Sequence, residues 1–231
     1  MKVAIHQPNF MPWTGFFHKI SLVDCFVFFD DVQMERGKTY TQRTKILVGG
    51  KEMWLTVPVI NKSDLIIIKD AQVDTSFVWK RKLLKTIELN YKNTPGFEAV
   101  FSIIEKAFAT DSTFLIDYNI PLITGLSAYL GLDTRFVLSS EIEGVSDKTG
   151  KGKILEINKC LKADAYVSGS GEGSKRYIEE TDYIKNGISL EWQKYCFKEY
   201  PQVKSSGFIP GLSVIDLLFN CGDKSLSYLR D

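Results

Sequence analysis

The sequence predicts an α/β protein whose mostly parallel sheet is flanked by helices and interrupted by a β-hairpin excursion and a helical insertion. In the first and last thirds of the chain, short apolar runs of strand length alternate with helical patterns, which is typical of a parallel sheet. The middle third has a hairpin pattern followed by consecutive helical patterns. We therefore expect one domain, residues 1–231, with a helical insertion or cap at about residues 77–131.

The first unit predicts a strand, a loop, a helix and a second strand. Residues 2–6 form a short β-like run, and residues 7–12 form a loop with two prolines. Apolar side chains then recur at helical spacing between Trp13 and Leu22. Residues 25–29 are continuously apolar, as expected of a parallel strand that is buried on both faces.

The remaining elements follow from the same two periodicities. Residues 41–48 and 51–60 predict a β-hairpin, because the intervening Gly49 and Gly50 supply the positive φ angles of a tight turn. Further strands are predicted at residues 64–73, 134–138, 165–167 and 188–192. Helices are predicted at residues 78–91, 97–108, 112–130, 152–161, 174–180 and 212–219.

Composition excludes several classes of function. The 29 basic and 28 acidic residues nearly cancel, so the chain lacks the broad basic field of a nucleic-acid-binding protein. The four cysteines are widely separated and form no metal-ligand spacing, which predicts reduced thiols and no metal site. The start of the chain has no secretory pattern, and no apolar run approaches the ~20 residues of a membrane span. We therefore expect a cytoplasmic protein without a membrane span.

Polar residues follow the first two predicted strands. His6 leaves the first strand, and Asp30 and Asp31 leave the second. Ligands of parallel α/β sheets bind at the carboxyl ends of the strands, and neighbouring strands lie only about 4.8 Å apart. An imidazole beside a carboxylate suits a general base, so His6, Asp30 and Asp31 are the predicted catalytic residues. The alternative is a structural histidine and an aspartate pair that caps a loop.

Further polar or aromatic side chains of this region are predicted to bind substrate: Gln7, Asn9, Trp13, His18, Gln33 and Arg43. Arg43 belongs to a polar segment that includes Lys38 and could reach the same edge of the sheet. Packing is the competing role for Trp13, and a surface or packing role for His18.

Residues 168–176 form a glycine-rich turn between a predicted strand and helix. Gly169 and Gly171, which follow Ser168, let backbone amides approach a ligand, and Lys175 and Arg176 add positive charge. These five residues are predicted to bind a phosphate or carboxylate, although a plain strand-to-helix turn is the alternative. A basic loop at residues 147–153 could close over an anionic substrate, but a solvated loop is the preferred explanation.

Five segments together resemble the WbqC-like family: residues 5–20, 24–33, 54–59, 166–169 and 212–222. The resemblance spans essentially the whole chain. It implies a link to gene clusters for bacterial O-antigen and other surface polysaccharides, and a glycine-transfer or related acyl-transfer role. It carries over no catalytic residue.

The first unit also resembles that of HUP-type nucleotidylyltransferases, which begin with a strand, an H-x-G-H loop, a helix and a second parallel strand. Residues 13–16, Trp-Thr-Gly-Phe, lie where that loop would be, and both of its histidines are missing. The resemblance implies a Rossmann-like, HUP-type sheet. Nucleotidyl transfer remains a third alternative for the reaction, without those histidines.

These observations lead to two principal hypotheses. In the first, the protein is a transferase that attaches an aminoacyl or other acyl group to the amine of a nucleotide-linked amino sugar. Its acyl donor would be a thioester on coenzyme A or on an acyl carrier protein, and no other cofactor is identified. In the second, the protein is a non-catalytic sugar- or nucleotide-binding accessory of a polysaccharide pathway.

Overall fold

The structure of the chain is a computed structural model that describes residues 1–35, 37, 39–60 and 66–230. Lys38 and the first two residues of the strand predicted at 64–73 lie outside these ranges. The strands are β1 (Lys2–His6), β2 (Cys25–Phe28), β3 (Arg43–Val48), β4 (Lys51–Thr56), β5 (Arg135–Leu138), β6 (Ala165–Ser168) and β7 (Ser189–Trp192).

The helices are α1 (Thr14–Ser21), α2 (Val78–Tyr91), α3 (Phe97–Phe108), α4 (Ile116–Tyr129), α5 (Gly150–Cys160), α6 (Glu172–Lys175), α7 (Glu180–Lys185), α8 (Val214–Cys221) and α9 (Leu226–Leu229). Short 3-10 helices cover Ile68–Asp70, Ser139–Glu141 and Gly222–Lys224. Across the described ranges, none of the helices combines the length and the apolar character needed to cross a membrane.

Five strands form one parallel sheet in the order β5-β2-β1-β6-β7, and β3 and β4 form a separate antiparallel hairpin. The predicted α/β class, with its parallel sheet and hairpin excursion, is therefore confirmed. Counted along the chain, the sheet strands lie in the order third, second, first, fourth and fifth. This is the order of doubly wound sheets, in which the connections diverge on either side of the first strand. The crevice between the ends of β1 and β6 is thus the switch point of the sheet.

Alternate residues of the central strands enter two different cores. Ala4, Phe26 and Phe28 belong to the cluster that includes α1, α8 and the middle helices. Val3 and Val27 belong to the cluster on the opposite face, which includes Ile154 and Ile157 of α5. Because both faces of the sheet are buried at its centre, residues 3–5 of β1 and all of β2 are apolar, as the sequence indicates.

The middle helices pack on the same core as the first unit of the chain. Side chains of α1, the hairpin, α2, α3, α4 and α8 form one hydrophobic cluster, as shown by Phe17, Ile46, Ile87, Ile104, Leu122 and Leu218. The region predicted as an insertion or cap therefore shares buried contacts with the start and the end of the chain.

Two predicted elements are wrong in kind or in extent. The described part of the strand predicted at 64–73 contains the 3-10 helix Ile68–Asp70 and isolated bridges only, such as that between Ile67 and Gln33. Its amides bond to loops, including that of Lys69 to the carbonyl of Asp30, and not to a neighbouring strand.

The helix predicted at 174–180 is replaced by α6 and α7, with a break between them. No side chain of α6 is buried, so packing does not extend this helix beyond one turn.

Candidate functional site

A cleft of about 890 Å³ opens at the carboxyl edge of the sheet, at the switch point. Its walls come from the ends of β1, β2 and β6, the start of α5 and the turn after β6. The structure brings together here six of the residues predicted from the sequence: His6, Gln7, Asp31, Gln33, Ser168 and Gly169. The chain order therefore places the strand-end residues at one site, as expected of a doubly wound sheet.

The His6 side chain is half-buried against aromatic rings. Its ring packs edge-on against Phe16 and Trp13, with centroids 4.8 and 5.8 Å away. Its Nδ1 lies 3.0 Å from the carbonyl oxygen of Gln7. Because a carbonyl oxygen only accepts, Nδ1 carries the proton and Nε2 keeps a free lone pair. Burial, and then the charge of Lys19, lowers the pKa of His6 to about 3, so the imidazole is neutral at physiological pH.

Asp30 is fully buried behind the cleft. Its carboxylate accepts hydrogen bonds from the Ser140 amide at 3.0 Å and the Ser140 hydroxyl at 2.6 Å, and the Ser139 hydroxyl oxygen lies 2.9 Å from its Oδ1. Asp30 therefore fixes the 3-10 helix after β5 in place. Both oxygens of the Asp30 carboxylate therefore accept structural hydrogen bonds.

Asp31 lines the cleft and is held by a cation and a hydroxyl. Lys153 Nζ lies 2.7 Å from Asp31 Oδ2, and the Ser139 hydroxyl lies 2.5 Å from Asp31 Oδ1. Among the described residues, neither Asp30 nor Asp31 makes a hydrogen bond or an ion pair with His6. The predicted pairing of base and acid is thus replaced by two separate arrangements, His6 with a backbone carbonyl and Asp31 with Lys153.

Asn9 and His18 lie in the interior and away from the cleft lining. The Nδ1 of His18 lies 2.9 Å from Gln193 Nε2, and the ring lies 5.0 Å from that of Tyr195. These contacts join α1 to the segment after β7. Packing is therefore the role that the surroundings of His18 support.

Trp13 and Arg43 belong to a row of aromatic and basic side chains beside the site. Trp13 lies between the His6 ring and Tyr40, 5.8 Å from each. Tyr40 is next to Trp54, and the Arg43 guanidinium lies 3.9 Å from the Trp54 ring centroid. Arg43 is thus held by a cation–π contact at the far end of the row and does not line the cleft.

The glycine-rich turn reaches the cleft through Ser168, Gly169, Gly173 and Ser174. Gly171, Lys175 and Arg176 are exposed and outside the cleft lining. Lys175 lies 4.0 Å from Glu172 in an exposed pair. The cations that line the cleft come from other elements.

Lys19, on α1, is the residue that sequence reasoning missed. Only 5% of it is exposed, yet it lines the cleft. A Cβ added to Gly169 would lie 3.4 Å from Lys19 Nζ, which places the ammonium beside the end of β6. Among the described residues no carboxylate or hydrogen-bond acceptor pairs with it, and burial lowers its pKa to about 8. A lysine after Phe-Phe-His in a helical pattern gives no sign of this burial.

The start of α5 forms the opposite wall of the cleft, with Lys148, Thr149 and Gly150 in the lining. This helix begins two residues earlier than the sequence predicts. Thr149 makes no side-chain capping bond, and the first turn contains no acidic residue. The first amides of a helix have no partner within it, so this N-terminus offers donors and a partial positive charge.

Within the described ranges, no group of three or more His, Cys, Asp or Glu side chains is arranged to hold a metal ion. The polar character of the cleft comes instead from lysines, the carboxylates of Asp31 and Glu35, the His6 ring, two glutamines, hydroxyls and backbone amides.

A comparison with known proteins places the chain among relatives. The model of the WbqC-like protein family matches residues 7–228. The chain belongs to the WbqC-like protein family. It is 31% identical over 232 residues to an uncharacterized protein of Mycobacterium tuberculosis, covering 99% of this chain and 97% of that protein. No solved structure shows a significant match.

In this WbqC-like chain, two of the segments that resemble the family, residues 5–20 and 212–222, contact each other beside the site. The hydroxyls of Ser213 and Thr44 both donate to the carbonyl of Met11, at 2.7 and 2.9 Å. The Val214 amide donates to the carbonyl of Pro12 at 2.8 Å, and Asn119 Nδ2 donates to the carbonyl of Pro8 at 2.7 Å. The loop after β1 is therefore clamped from three sides, which fixes where His6 and Gln7 enter the cleft.

Proposed function

We propose that the cleft is the active site of a cytoplasmic transferase that acylates the amine of a nucleotide-linked amino sugar for a bacterial surface polysaccharide such as O-antigen. The group transferred is aminoacyl, glycyl included, or another acyl group. The donor is a thioester on coenzyme A or on an acyl carrier protein. Membership of the WbqC-like family and the position of the cleft at the switch point support this proposal.

The observation that carries the proposal is the state of His6. It lines the cleft, it is neutral at physiological pH, and its contact with Gln7 leaves Nε2 as an acceptor. A neutral nitrogen with a free lone pair can accept the proton of an attacking amine, and at a pKa of about 3 this transfer becomes efficient only if the bound anionic substrate raises the pKa of His6. The volume of the cleft, about 890 Å³, is also in the upper part of the range for small-molecule sites, roughly 300–1,000 Å³.

The proposed reaction is a nucleophilic acyl substitution. The sugar amine attacks the thioester carbonyl and forms the carbon–nitrogen bond of an amide. His6 Nε2 accepts the proton of the amine and returns it to the departing thiolate as the carbon–sulfur bond breaks. Gln7 and the amide of Gly169, both in the cleft wall, are the candidate donors to the oxyanion.

The experiment combines binding with turnover. Purified protein is incubated with a panel of nucleotide-linked amino sugars and acyl or aminoacyl thioesters, and amide products are detected by mass spectrometry. The wild type is expected to form an amide with one pair. His6→Gln is expected to reduce kcat about 100-fold or more while sugar-nucleotide binding, measured by calorimetry, stays within about threefold. Lys106→Met, an exposed change on α3, is the matched control.

Two outcomes would overturn the transferase, and a third would overturn the role of His6 as its base. Binding of the sugar nucleotide without turnover by the wild type would support the accessory binding protein. Release of pyrophosphate from a nucleoside triphosphate and a sugar phosphate would support nucleotidyl transfer. Full activity of His6→Gln would show that the proton is taken by another group.

A further inference from the structure

The two buried lysines of the cleft, Lys153 and Lys19, differ in whether a carboxylate neutralises their charge. Lys153 is 3% exposed and has Asp31 2.7 Å away, so its charge is neutralised inside the protein. Lys19 is 5% exposed, and no carboxylate in the described ranges pairs with it. A buried ammonium without a counterion is costly, and proteins rarely keep one without a use for its charge. The cleft is the open side of Lys19, so the counterion would have to come from there.

The N-terminus of α5 points to the same kind of ligand from a different element. This 11-residue helix begins in the cleft wall with no side-chain cap and no acidic residue in its first turn. Its free amides and partial positive charge favour an anion. Since α1 and α5 pack on opposite faces of the sheet, Lys19 and these amides approach the cleft from two sides.

Space for a ligand beside Lys19 depends on Gly169. A Cβ at this position would lie 3.0 Å from Ser174 Oγ and 3.4 Å from Lys19 Nζ. A side chain here would therefore displace the Ser174 hydroxyl and come into van der Waals contact with the ammonium. The glycine keeps Lys19 accessible at the end of β6, and Ser174 supplies a hydroxyl at the same place.

We propose that Lys19 and the N-terminus of α5 bind the phosphate groups of the substrate, with Gly169 leaving room for them. The proposal rests on the proposed function, because it identifies these phosphates with those of the nucleotide-linked sugar. It assigns to Lys19 the role that the sequence predicts for Lys175 and Arg176, which lie outside the cleft lining.

Inorganic pyrophosphate is a suitable probe, because it carries the phosphates and nothing else of the substrate. Its binding to the full chain is measured by calorimetry at pH 7 for the wild type, Lys19→Met and Gly169→Ala, with Lys106→Met as the control. We expect Lys19→Met to weaken binding at least tenfold, Gly169→Ala at least fivefold, and Lys106→Met by less than twofold. Thermal unfolding of each variant checks that it is folded.

A second measurement needs no variant. In protein labelled with ¹³C at lysine Cε, the resonance of Lys19 is followed by NMR during a pH titration. Pyrophosphate is expected to raise the pKa of Lys19 from about 8 by at least one pH unit, since a bound anion stabilises the charged form.

The results separate this proposal from the proposed function. Absence of pyrophosphate binding by the wild type at millimolar concentration would overturn the phosphate site, as would unchanged binding by Lys19→Met or an unmoved Lys19 pKa. Pyrophosphate binding through Lys19 with no amide product in any assay would keep the phosphate site and reject the transferase. Amide formation by Lys19→Met at the wild-type KM for the sugar nucleotide would keep the transferase and reject the phosphate site.

Discussion

Lys153 and Asp31 form a buried ion pair, with 2.7 Å between Nζ and Oδ2, that joins the start of α5 to the loop after β2. Their side chains are 4% and 12% exposed, so water screens the pair little. The pair holds two walls of the cleft together. Because of this pair, the Asp31 carboxylate binds the Lys153 ammonium and not the His6 ring.

The first prediction concerns this pair. Asp31→Asn leaves the Lys153 ammonium buried without a counterion, which is expected to lower the free energy of unfolding by about 3 kcal/mol. Replacing both residues, with Asp31→Leu and Lys153→Met, is expected to recover most of that loss. Urea unfolding of the wild type, Asp31→Leu, Lys153→Met and the double variant measures the coupling energy of the pair. Additive effects of the two single changes would contradict a coupled pair.

The sequence predicts the sheet and the location of the site for physical reasons that act locally. A strand buried on both faces is apolar at every position, so Cys25–Phe28 can be recognised without knowing its neighbours. The polar residues that follow such strands must lie at one edge of a parallel sheet. This is why His6 and Asp31 line the same cleft, at the edge where the strand ends are expected to lie.

The partners within the site could not be predicted in the same way. The Lys153 pair depends on where α5 begins, and Lys19 is buried by elements that follow it by more than a hundred residues. In a helical pattern a lysine is normally solvated, whereas Lys19 is buried next to Gly169, which is far away along the chain. Likewise, the run Ile66-Ile67-Ile68 has strand composition, but its amides bond to loops.

The second prediction concerns the contact between the start of α3 and the end of α8. The amide of Gly96 donates to the carbonyl of Phe219 at 2.9 Å, and a Cβ on Gly96 would lie 2.1 Å from the Leu218 carbonyl oxygen. Because both sides of this contact are backbone, Gly96→Ala is expected to cost about 3 kcal/mol of stability.

Thermal unfolding measures this effect. Gly152→Ala is the control, since a Cβ on Gly152 meets nothing within 4 Å. Equal melting temperatures for the two variants would show that α3 and α8 can move apart freely.

The third prediction concerns a buried acid outside the cleft. Asp216 accepts hydrogen bonds from the hydroxyls of Tyr91 at 2.6 Å and Tyr200 at 2.9 Å, and burial raises the pKa of Asp216 above its ordinary 3.8. Asp216→Ala leaves two buried hydroxyls without their acceptor, so it is expected to destabilise the fold by about 2–4 kcal/mol. Asp216→Asn keeps one acceptor oxygen and is expected to cost less.

The raised pKa of Asp216 also sets the sign of a pH effect. The folded protein holds this proton more tightly than the unfolded chain does. The contribution of Asp216 to stability is therefore fully present below pH 3.8 and is lost as the pH rises through the raised folded pKa. Urea unfolding of the wild type and Asp216→Asn across this range measures the contribution. A difference between them that does not change with pH would contradict the prediction.

The last prediction concerns the cost of keeping Lys19 buried. Lowering its pKa from 10.5 to about 8 corresponds to a penalty of at most about 3.5 kcal/mol, at about 1.4 kcal/mol per pH unit. Lys19→Met removes the charge and keeps an apolar chain of similar length. We therefore expect this variant to be more stable than the wild type at pH 7, by about 1–3 kcal/mol.

The pH dependence identifies the cause of that gain. Below pH 8 the ammonium is charged in both the folded and the unfolded protein, so the penalty is complete. As the pH rises from 8 towards 10.5, the folded protein releases the proton first, and the wild type gains stability relative to Lys19→Met. Urea unfolding at pH 7, 8.5 and 10 measures the narrowing difference. A Lys19→Met variant that is less stable at pH 7 would mean that the ammonium has a stabilising partner inside the protein, and its charge would then not be available to a ligand.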